Sequence, residues 1–318
     1  MANDIDLKFL IQIVADTLNA DRSSIRLKAI KTGRFNLSWI VDGWKEPLIV
    51  RVSPEQNGER MLFYEHRMIL QGPSILKIVD QNTDVPVPKI LSLTEKDQVI
   101  RRDWLLMTRL SGTPMSHAII EEKSLSRVYQ EIGSALQKIH KVTRDNFGYL
   151  GEHAPMEGQR SWPEAFRAMW NALIDDILRI KGYSLEEAAA MKRLIESFEK
   201  NIPDLKSSCL LHMDLWQENI LISKDQKLSG IVDWDNALWG DPDLDLTICQ
   251  YYGLACRSFF DGYSDHSFQA QAKDPIKKLY LLYNIQKYIF INRARRGANK
   301  IADNYKKQCL RIARTLFE

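Results

Sequence analysis

The stretch LLHMDLWQENILIS, residues 210–223, constrains this chain more than any other. It is a short polar break between two apolar runs. Leu210 and Leu211 lead in, and Ile220, Leu221 and Ile222 lead out as a buried strand would. A polar loop pinned at both ends by core segments has its side chains held by rigid elements, which is where chemistry is best placed. A second apolar run follows across a polar turn at Lys224-Asp225-Gln226, and Asp233 emerges directly after Ile231 and Val232. The pattern predicts a β-hairpin that brings Asp233 beside His212, Asp214 and Asn219.

The rest of the chain divides around this hairpin. IDLKFLIQIVADTLN (5–19) has helical spacing, and SIRLKAI, RFNLSWIVDG and EPLIVRVS read as strands, with Asp42-Gly43 favouring a turn. GERMLFYEHRMIL (58–70) looks helical, VPVPKILSL is extended because of its prolines, and RDWLLMTRLSG is an apolar strand running into a Gly-containing link. Beyond Gly112 helices dominate. SLSRVYQEIGSALQKIHKV carries Leu125, Val128, Ile132, Leu136 and Ile139 on one face. WPEAFRAMWNALIDDILRI begins with proline near its first turn, and SLEEAAAMKRLIESFEK opens on a Ser184/Glu187 capping box. The tail from 273 is largely helical. The expected fold is α+β and bilobal, with a small β-rich N-lobe over 1–108 and a larger, mainly helical C-lobe over 109–318.

Composition excludes several classes. With 45% apolar and 27% charged residues the 318-residue chain has an ordinary globular balance, and 44 basic against 41 acidic residues give no reason to expect a nucleic-acid or membrane partner. No apolar run approaches the length of a membrane span, and the N-terminus lacks a signal-peptide pattern. Cys209, Cys249, Cys256 and Cys309 fit neither a zinc nor a disulfide framework, so reduced thiols and a cytoplasmic location are expected.

Phosphoryl transfer from a nucleotide needs a positioned hydroxyl, a carboxylate to take its proton, and Mg²⁺ to offset phosphate charge. Mg²⁺ takes oxygen ligands and keeps several waters, so one carboxylate and one amide oxygen suffice. Asp214 fits the base; Asn219 and Asp233 fit the metal ligands. On these residues the chain resembles the aminoglycoside phosphotransferase and choline kinase superfamily, small-molecule kinases with a protein-kinase-like fold. HMDLWQENIL…IVDWDNALWGDPDLDL is similar to the family signature. PLIVRVSP, FYEHRMIL, VPVPKIL, WLLMTRLSGTPM and ALQKIHKV resemble further family segments in the right order, over roughly residues 30–250.

The resemblance implies roles residue by residue. Asp214 is the catalytic base, and Asn219 and Asp233 hold Mg²⁺. Arg51 contacts the phosphates of ATP (or GTP) and is held by Glu65, with Glu59 as the competing partner. Gly33 and Asn36 belong to the nucleotide loop, and the backbone of Thr108, Arg109 and Leu110 meets the purine. His212 supports the loop from inside, and Asp241 and Asp245 bond loop backbone. Trp216 and Trp239 are the tryptophans expected near the cleft. The sequence departs from the family where Arg51 replaces lysine, where the nucleotide loop carries one glycine, and where Met213 and Glu218 stand in positions often taken by glycine.

The expected acceptor is a small-molecule hydroxyl on an aminoglycoside-like antibiotic, amino alcohol, sugar or amino-acid derivative, acted on by a monomer or homodimer. The basic tail, centred on NRARRGANK, argues against a polycationic acceptor, and Arg293, Arg295 and Arg296 are expected on a solvated face. The other reading is a non-catalytic kinase relative that binds a nucleotide or metabolite. Arg51 and the glycine-poor loop favour it, and the filled Asp214, Asn219 and Asp233 positions oppose it.

Overall fold

The computed structural model describes residues 5–30, 35–55, 60–151, 153–270 and 274–317. Strands β1 (Arg26–Ile30), β2 (Leu37–Asp42), β3 (Leu48–Val52), β4 (Ile90–Thr94) and β5 (Trp104–Thr108) form an antiparallel sheet in the order β1-β2-β3-β5-β4. Alternation along β3 decides its two faces. Leu48, Val50 and Val52 are buried with Trp39, Val41 and Trp104 against Leu10 and Val14 of helix α1 (Leu7–Leu18). Ile49 packs on the opposite face with Ile69, Leu70, Leu105 and Met107, and Arg51 shares that face. The β2–β3 turn depends on Gly43: its φ is +92°, and a Cβ there would sit 1.9 Å from the Ser24 carbonyl oxygen.

The helix expected over 58–70 is not formed across the described residues 60–70. Residues 56–59, Glu59 among them, lie outside the described residues; 63–67 is a turn, 68–70 one 3₁₀ turn, and α2 runs from Gln71 to Asn82. Tertiary contacts override the apolar periodicity. Arg67 is left-handed (φ 54°), with its guanidinium bonded to Asp103 and Glu95, and the Glu65 carboxylate accepts from Leu62 N–H at 2.7 Å.

The chain then enters the helical half through Gly112, at φ +122°. Short strand β6 (Thr113–Pro114) precedes α3 (Glu122–His140); β7 (Thr143–Arg144) precedes α4 (Trp162–Arg179) and α5 (Leu185–Phe198). The Ser184/Glu187 capping box opens α5 as expected. Strands β8 (Ser208–Leu211), β9 (Ile220–Ile222), β10 (Leu228–Ile231) and β11 (Leu238–Gly240) complete two small sheets, ordered β10-β9-β6 and β11-β8-β7. Helices α6 (Pro242–Tyr251), α7 (Arg257–Tyr263), α8 (Ser267–Ala270), α9 (Pro275–Phe290) and α10 (Asn299–Arg314) follow, with a π-helical turn at Ile291–Arg295. Trp162, Phe166 and Trp170 of α4 and Leu279, Tyr280 and Ile289 of α9 share one core. A second core joins Val128, Ile132 and Leu136 of α3 to Leu210, Ile220 and Ile231 of the hairpin region. The architecture is the α+β arrangement expected, a β-rich N-terminal part and a helical C-terminal part. Among the described residues no helix is long and apolar enough to cross a membrane.

Candidate active site

The loop between β8 and β9 is held from below by one carboxylate. Asp245, fully buried in the first turns of α6, accepts from His212 N–H and Met213 N–H, each at 2.7 Å, and faces His140 Nε2 at 3.2 Å. Burial alone would raise its pKa; the His140 bond and charge, with His212 and the loop amides, hold it below the usual carboxylate value. Asp245 therefore bonds loop backbone, while Asp241 caps α6 through Asp243 N–H and accepts from Tyr280 OH at 2.7 Å.

His212 is a satisfied interior residue. Its Nε2 is 3.0 Å from the Val232 carbonyl and its Nδ1 accepts from Asp214 N–H at 3.2 Å, so one neutral tautomer meets both partners. Burial lowers its pKa and keeps it neutral. Val232 N–H in turn donates to the Asn219 carbonyl at 3.0 Å, which ties the loop to the end of β10 where Asp233 emerges.

These bonds gather the expected acids. Asn219 Nδ2 donates to Asp214 O (2.8 Å) and to Asp214 Oδ2 (3.2 Å), so its NH₂ group is committed to the loop. Asp214 is partly buried, and desolvation raises its pKa. Asp233 adds to the rise, while Lys287, His212 and the Asn219 bond oppose it. Asp233 takes a left-handed conformation (φ 66°) and is the most exposed of the set, at 45% of its side chain. Met213 is also left-handed (φ 64°), which gives a physical reason for glycine being common there. Glu218 lies 3.4 Å from His117 Nε2.

Arg51 reaches across from β3 to this site. Its fork binds Asp235 through Nη1–Oδ1 (3.1 Å) and Nη2–Oδ2 (2.7 Å), and Nη2 also meets Asp233 Oδ1 at 3.0 Å. Asn36 Nδ2 donates to the same Asp235 carboxylate, and Gln71 Nε2 donates to the Asp235 and Ala237 carbonyls. Asp235 is 3% exposed; burial, helped by Asp233, pushes its pKa up to about 6 against the pull of Arg51 and Asn36. Two expected nucleotide-side residues, Arg51 and Asn36, thus converge on Asp235. Its signal in the sequence is the second acid of DWD, spaced to share a partner with Asp233.

Glu65 does not hold Arg51. Its buried carboxylate pairs with Arg295, whose side chain is 7% exposed, lies over Phe35 and Phe290, and donates to the Arg60 carbonyl. Arg295 is correspondingly not on a solvated face. Arg295 closes the π-helical turn that follows α9, and its guanidinium reaches the N-terminal half at Glu65, Arg60 and Phe35. Gly33 lies outside the described residues. At the link between the halves, Thr108 N–H bonds the Lys89 carbonyl and Arg109 N–H the Pro47 carbonyl, both at 2.8 Å, which fixes the strand leading to Leu110.

Trp239 is buried in the core beneath the loop, with Arg144 over its ring, whereas Trp216 is half-buried against Tyr252. Lys287, from α9, has no signal in the sequence: nothing in the tail distinguishes it from other basic residues. It is buried, its Nζ 3.9 Å from Asp214 Oδ1 and 3.4 Å from the Met213 carbonyl. Tyr252 and Tyr288 bond hydroxyl to hydroxyl nearby, and Tyr288 packs on Tyr305.

A base candidate, two candidate oxygen ligands, and an arginine arriving from a β-rich half suit a nucleotide-dependent phosphotransferase, and residues 26–277 match the model of the phosphotransferase enzyme family. The chain belongs to this family. It is a small-molecule kinase, related in fold to the aminoglycoside phosphotransferases. A Pasteurella multocida protein named as a probable ketoamine kinase is 24% identical over 289 residues, covering 87% of this chain and 90% of its own length. The structure of aminoglycoside phosphotransferase APH(4)-Ia superposes with a TM-score of 0.69 at 15% identity, covering 97% of this chain and 99% of that one. A Haemophilus somnus structure assigned to fructosamine-3-kinase superposes with a TM-score of 0.62 at 16% identity, covering 94% and 99%. A variant of APH(4)-Ia has been seen in a ternary complex with AMP-PNP and hygromycin B.

Proposed function

We propose that this phosphotransferase moves the γ-phosphoryl group of ATP to a hydroxyl of a sugar-derived small molecule, a ketoamine being the leading class, with Asp214 as base. The observation that carries the reading is the convergence of Asp214, Asn219 and Asp233 on one loop-and-hairpin unit with Arg51 facing them. Asn219 and Asp233 fit Mg²⁺: both offer hard oxygen donors, and the Asn219 NH₂ is engaged by Asp214, which leaves its amide oxygen as the donor atom toward a cation. The described residues offer no group of three or more His, Cys, Asp or Glu side chains suited to a metal, so an ion there would take part of its shell from phosphates and water. Bound there, Mg²⁺ would supply neutralisation of the charge on the transferring phosphoryl group.

The protein's own residues do the rest. Asp214 accepts the proton of the acceptor hydroxyl. Asn219 holds the carboxylate at the angle that hydroxyl needs, and Lys287 faces Asp214 Oδ1. Arg51 is the phosphate-binding cation; to serve a nucleotide, it shares or releases its bond to Asp233 while Asp235 keeps its fork in place. The purine lies against the Thr108, Arg109 and Leu110 backbone. Trp216 and Tyr252, half-buried against each other, supply aromatic surface for a sugar ring. A lysine at the base is unfavourable for a polycationic acceptor, whose ammonium groups it would repel.

The test is ADP release from Mg-ATP with ketoamine, free-sugar, amino-alcohol and aminoglycoside pools, with Asp214→Asn beside wild type. Asp214-dependent turnover on the ketoamine pool is the expected outcome. Equal turnover by Asp214→Asn overturns the base assignment. Turnover confined to another pool overturns the acceptor class, and none with any pool favours the non-catalytic reading.

A further inference from the structure

Helix α9 carries two buried lysines with different company. Lys277, near its start, donates to the Phe268 carbonyl and lies over the Phe268 ring, a contact within the tail. Lys287, near its end, meets the catalytic loop instead. Its Nζ is 3.4 Å from the Met213 carbonyl and 3.9 Å from Asp214 Oδ1. Lys287 lies past residue 277, where the match to the family model ends.

A lysine carried into the interior loses its hydration, and only a partner offsets that loss. Lys287 is 8% exposed, and among the described residues it forms no ion pair besides the one with Asp214. The exclusivity runs both ways. Arg51 is committed to Asp235 and Asp233, Arg295 is committed to Glu65, and burial keeps His212 neutral. Lys287 is therefore the one cation paired with Asp214 among the described residues.

The separation within the pair matters as much as its charge. At 3.9 Å the ammonium is too far to hydrogen-bond Oδ1 and still close enough to offset its charge. The other oxygen, Oδ2, accepts from Asn219 Nδ2 at 3.2 Å. The carboxylate is thus addressed by an amide on its own loop and by an ammonium on α9, while the lone pairs of Oδ1 stay open to accept a proton. A lysine in direct contact, at about 2.8 Å, would occupy those lone pairs and weaken the base. The Met213 carbonyl holds the ammonium at its station, so the same side chain ties α9 to the Met213–Asp214 peptide.

We propose that Lys287 is a positioning residue for phosphoryl transfer: from α9 it offsets the charge of Asp214 and keeps Oδ1 aimed at the acceptor hydroxyl without taking up that oxygen's lone pairs. The hydroxyl proton passes to Oδ1 as the hydroxyl oxygen bonds phosphorus and the bond from phosphorus to the departing ADP oxygen breaks. Lys287 exchanges no proton in this step. Its role rests on Asp214 acting as base, and is independent of which hydroxyl compound is the acceptor.

The test uses four full-length chains: wild type, Lys287→Met, Asp214→Asn and the two changes combined. ADP release from Mg-ATP is followed with the acceptor, from the four pools above, that wild type turns over. Lys287→Met should lower kcat on the order of tenfold or more, a share of the roughly hundred- to ten-thousandfold that a positioned base contributes, with KM for ATP and for the acceptor near wild type. Urea unfolding gives a readout that needs no turnover. Lys287→Met should lower the midpoint where Asp214 is present and not where it has been replaced, because the loss comes from a buried carboxylate left without its cation. A merely structural tie lowers the midpoint equally in both backgrounds and overturns the role. A loss confined to KM for ATP overturns it as well, by making Lys287 a nucleotide ligand. An inactive Asp214→Asn beside a Lys287→Met with wild-type kcat sinks the role of Lys287 alone, whereas wild-type turnover by Asp214→Asn sinks the base assignment beneath it.

Discussion

Replacing Asp245 by asparagine tests the support beneath the catalytic loop most directly. The carboxylate is fully buried and receives two backbone N–H groups at 2.7 Å and His140 Nε2 at 3.2 Å. Asparagine keeps one oxygen and turns an NH₂ group toward one of these donors. One charge-assisted bond is lost and one buried N–H is left unmet, a loss of about 2–4 kcal/mol. With a urea m-value of about 3 kcal/mol/M, the midpoint falls by about 1 M. Turnover should fall by about a hundredfold, because a loop whose His212 and Met213 N–H groups are no longer both held from α6 misplaces Asp214. Urea unfolding followed by tryptophan fluorescence, beside ADP release, measures both. The pH dependence supplies an internal check. The folded-state pKa of Asp245 is depressed, so its stabilisation is present above the unfolded value of about 3.9 and is lost as pH falls through the folded one. The gap between wild type and Asp245→Asn should therefore narrow below about pH 4. An unfolding free energy within about 0.5 kcal/mol of wild type at pH 7 would refute the reasoning.

Three further outcomes follow from the same geometry. Arg295→Met leaves the buried Glu65 carboxylate without its cation, held only by Leu62 N–H, which should lower stability by about 3–5 kcal/mol; the double variant with Glu65→Gln should recover much of it, and additive losses in urea would show the pair to be uncoupled. Gly43→Ala places a methyl group against the Ser24 carbonyl at positive φ and should destabilise by about 1–3 kcal/mol, read as a drop in melting temperature, whereas a gain would mean the turn is not built this way. Lys287→Met should leave nucleotide affinity unchanged while lowering kcat at least about tenfold, since the lysine faces Asp214 and not Arg51; a change confined to ATP affinity contradicts that placement.

Much of this protein is legible in one dimension. The alternation of β3, with Leu48, Val50 and Val52 inward, puts Arg51 on the other face, because a strand has only two sides. The break between Leu211 and Ile220, followed by a hairpin, brings Asp214, Asn219 and Asp233 together by local geometry alone, and the short spacing of the motif leaves few alternatives. The capping box at Ser184 and the interior role of His212 are short-range facts of the same kind. Long-range pairings are decided elsewhere. Glu65 and Arg295 are more than two hundred residues apart, and no local pattern says that a buried carboxylate will find that guanidinium in preference to Arg51. The helix expected before Gln71 gives way because Arg67 and Glu65 gain more from Asp103, Glu95 and Arg295 than periodic packing would return. Lys287 faces Asp214 only because α9 packs against the loop. Sequence by itself determined which residues could do chemistry and which way each strand must turn, since those follow from covalent spacing and burial; tertiary structure decided which charge meets which, because an ion pair depends on where distant segments pack.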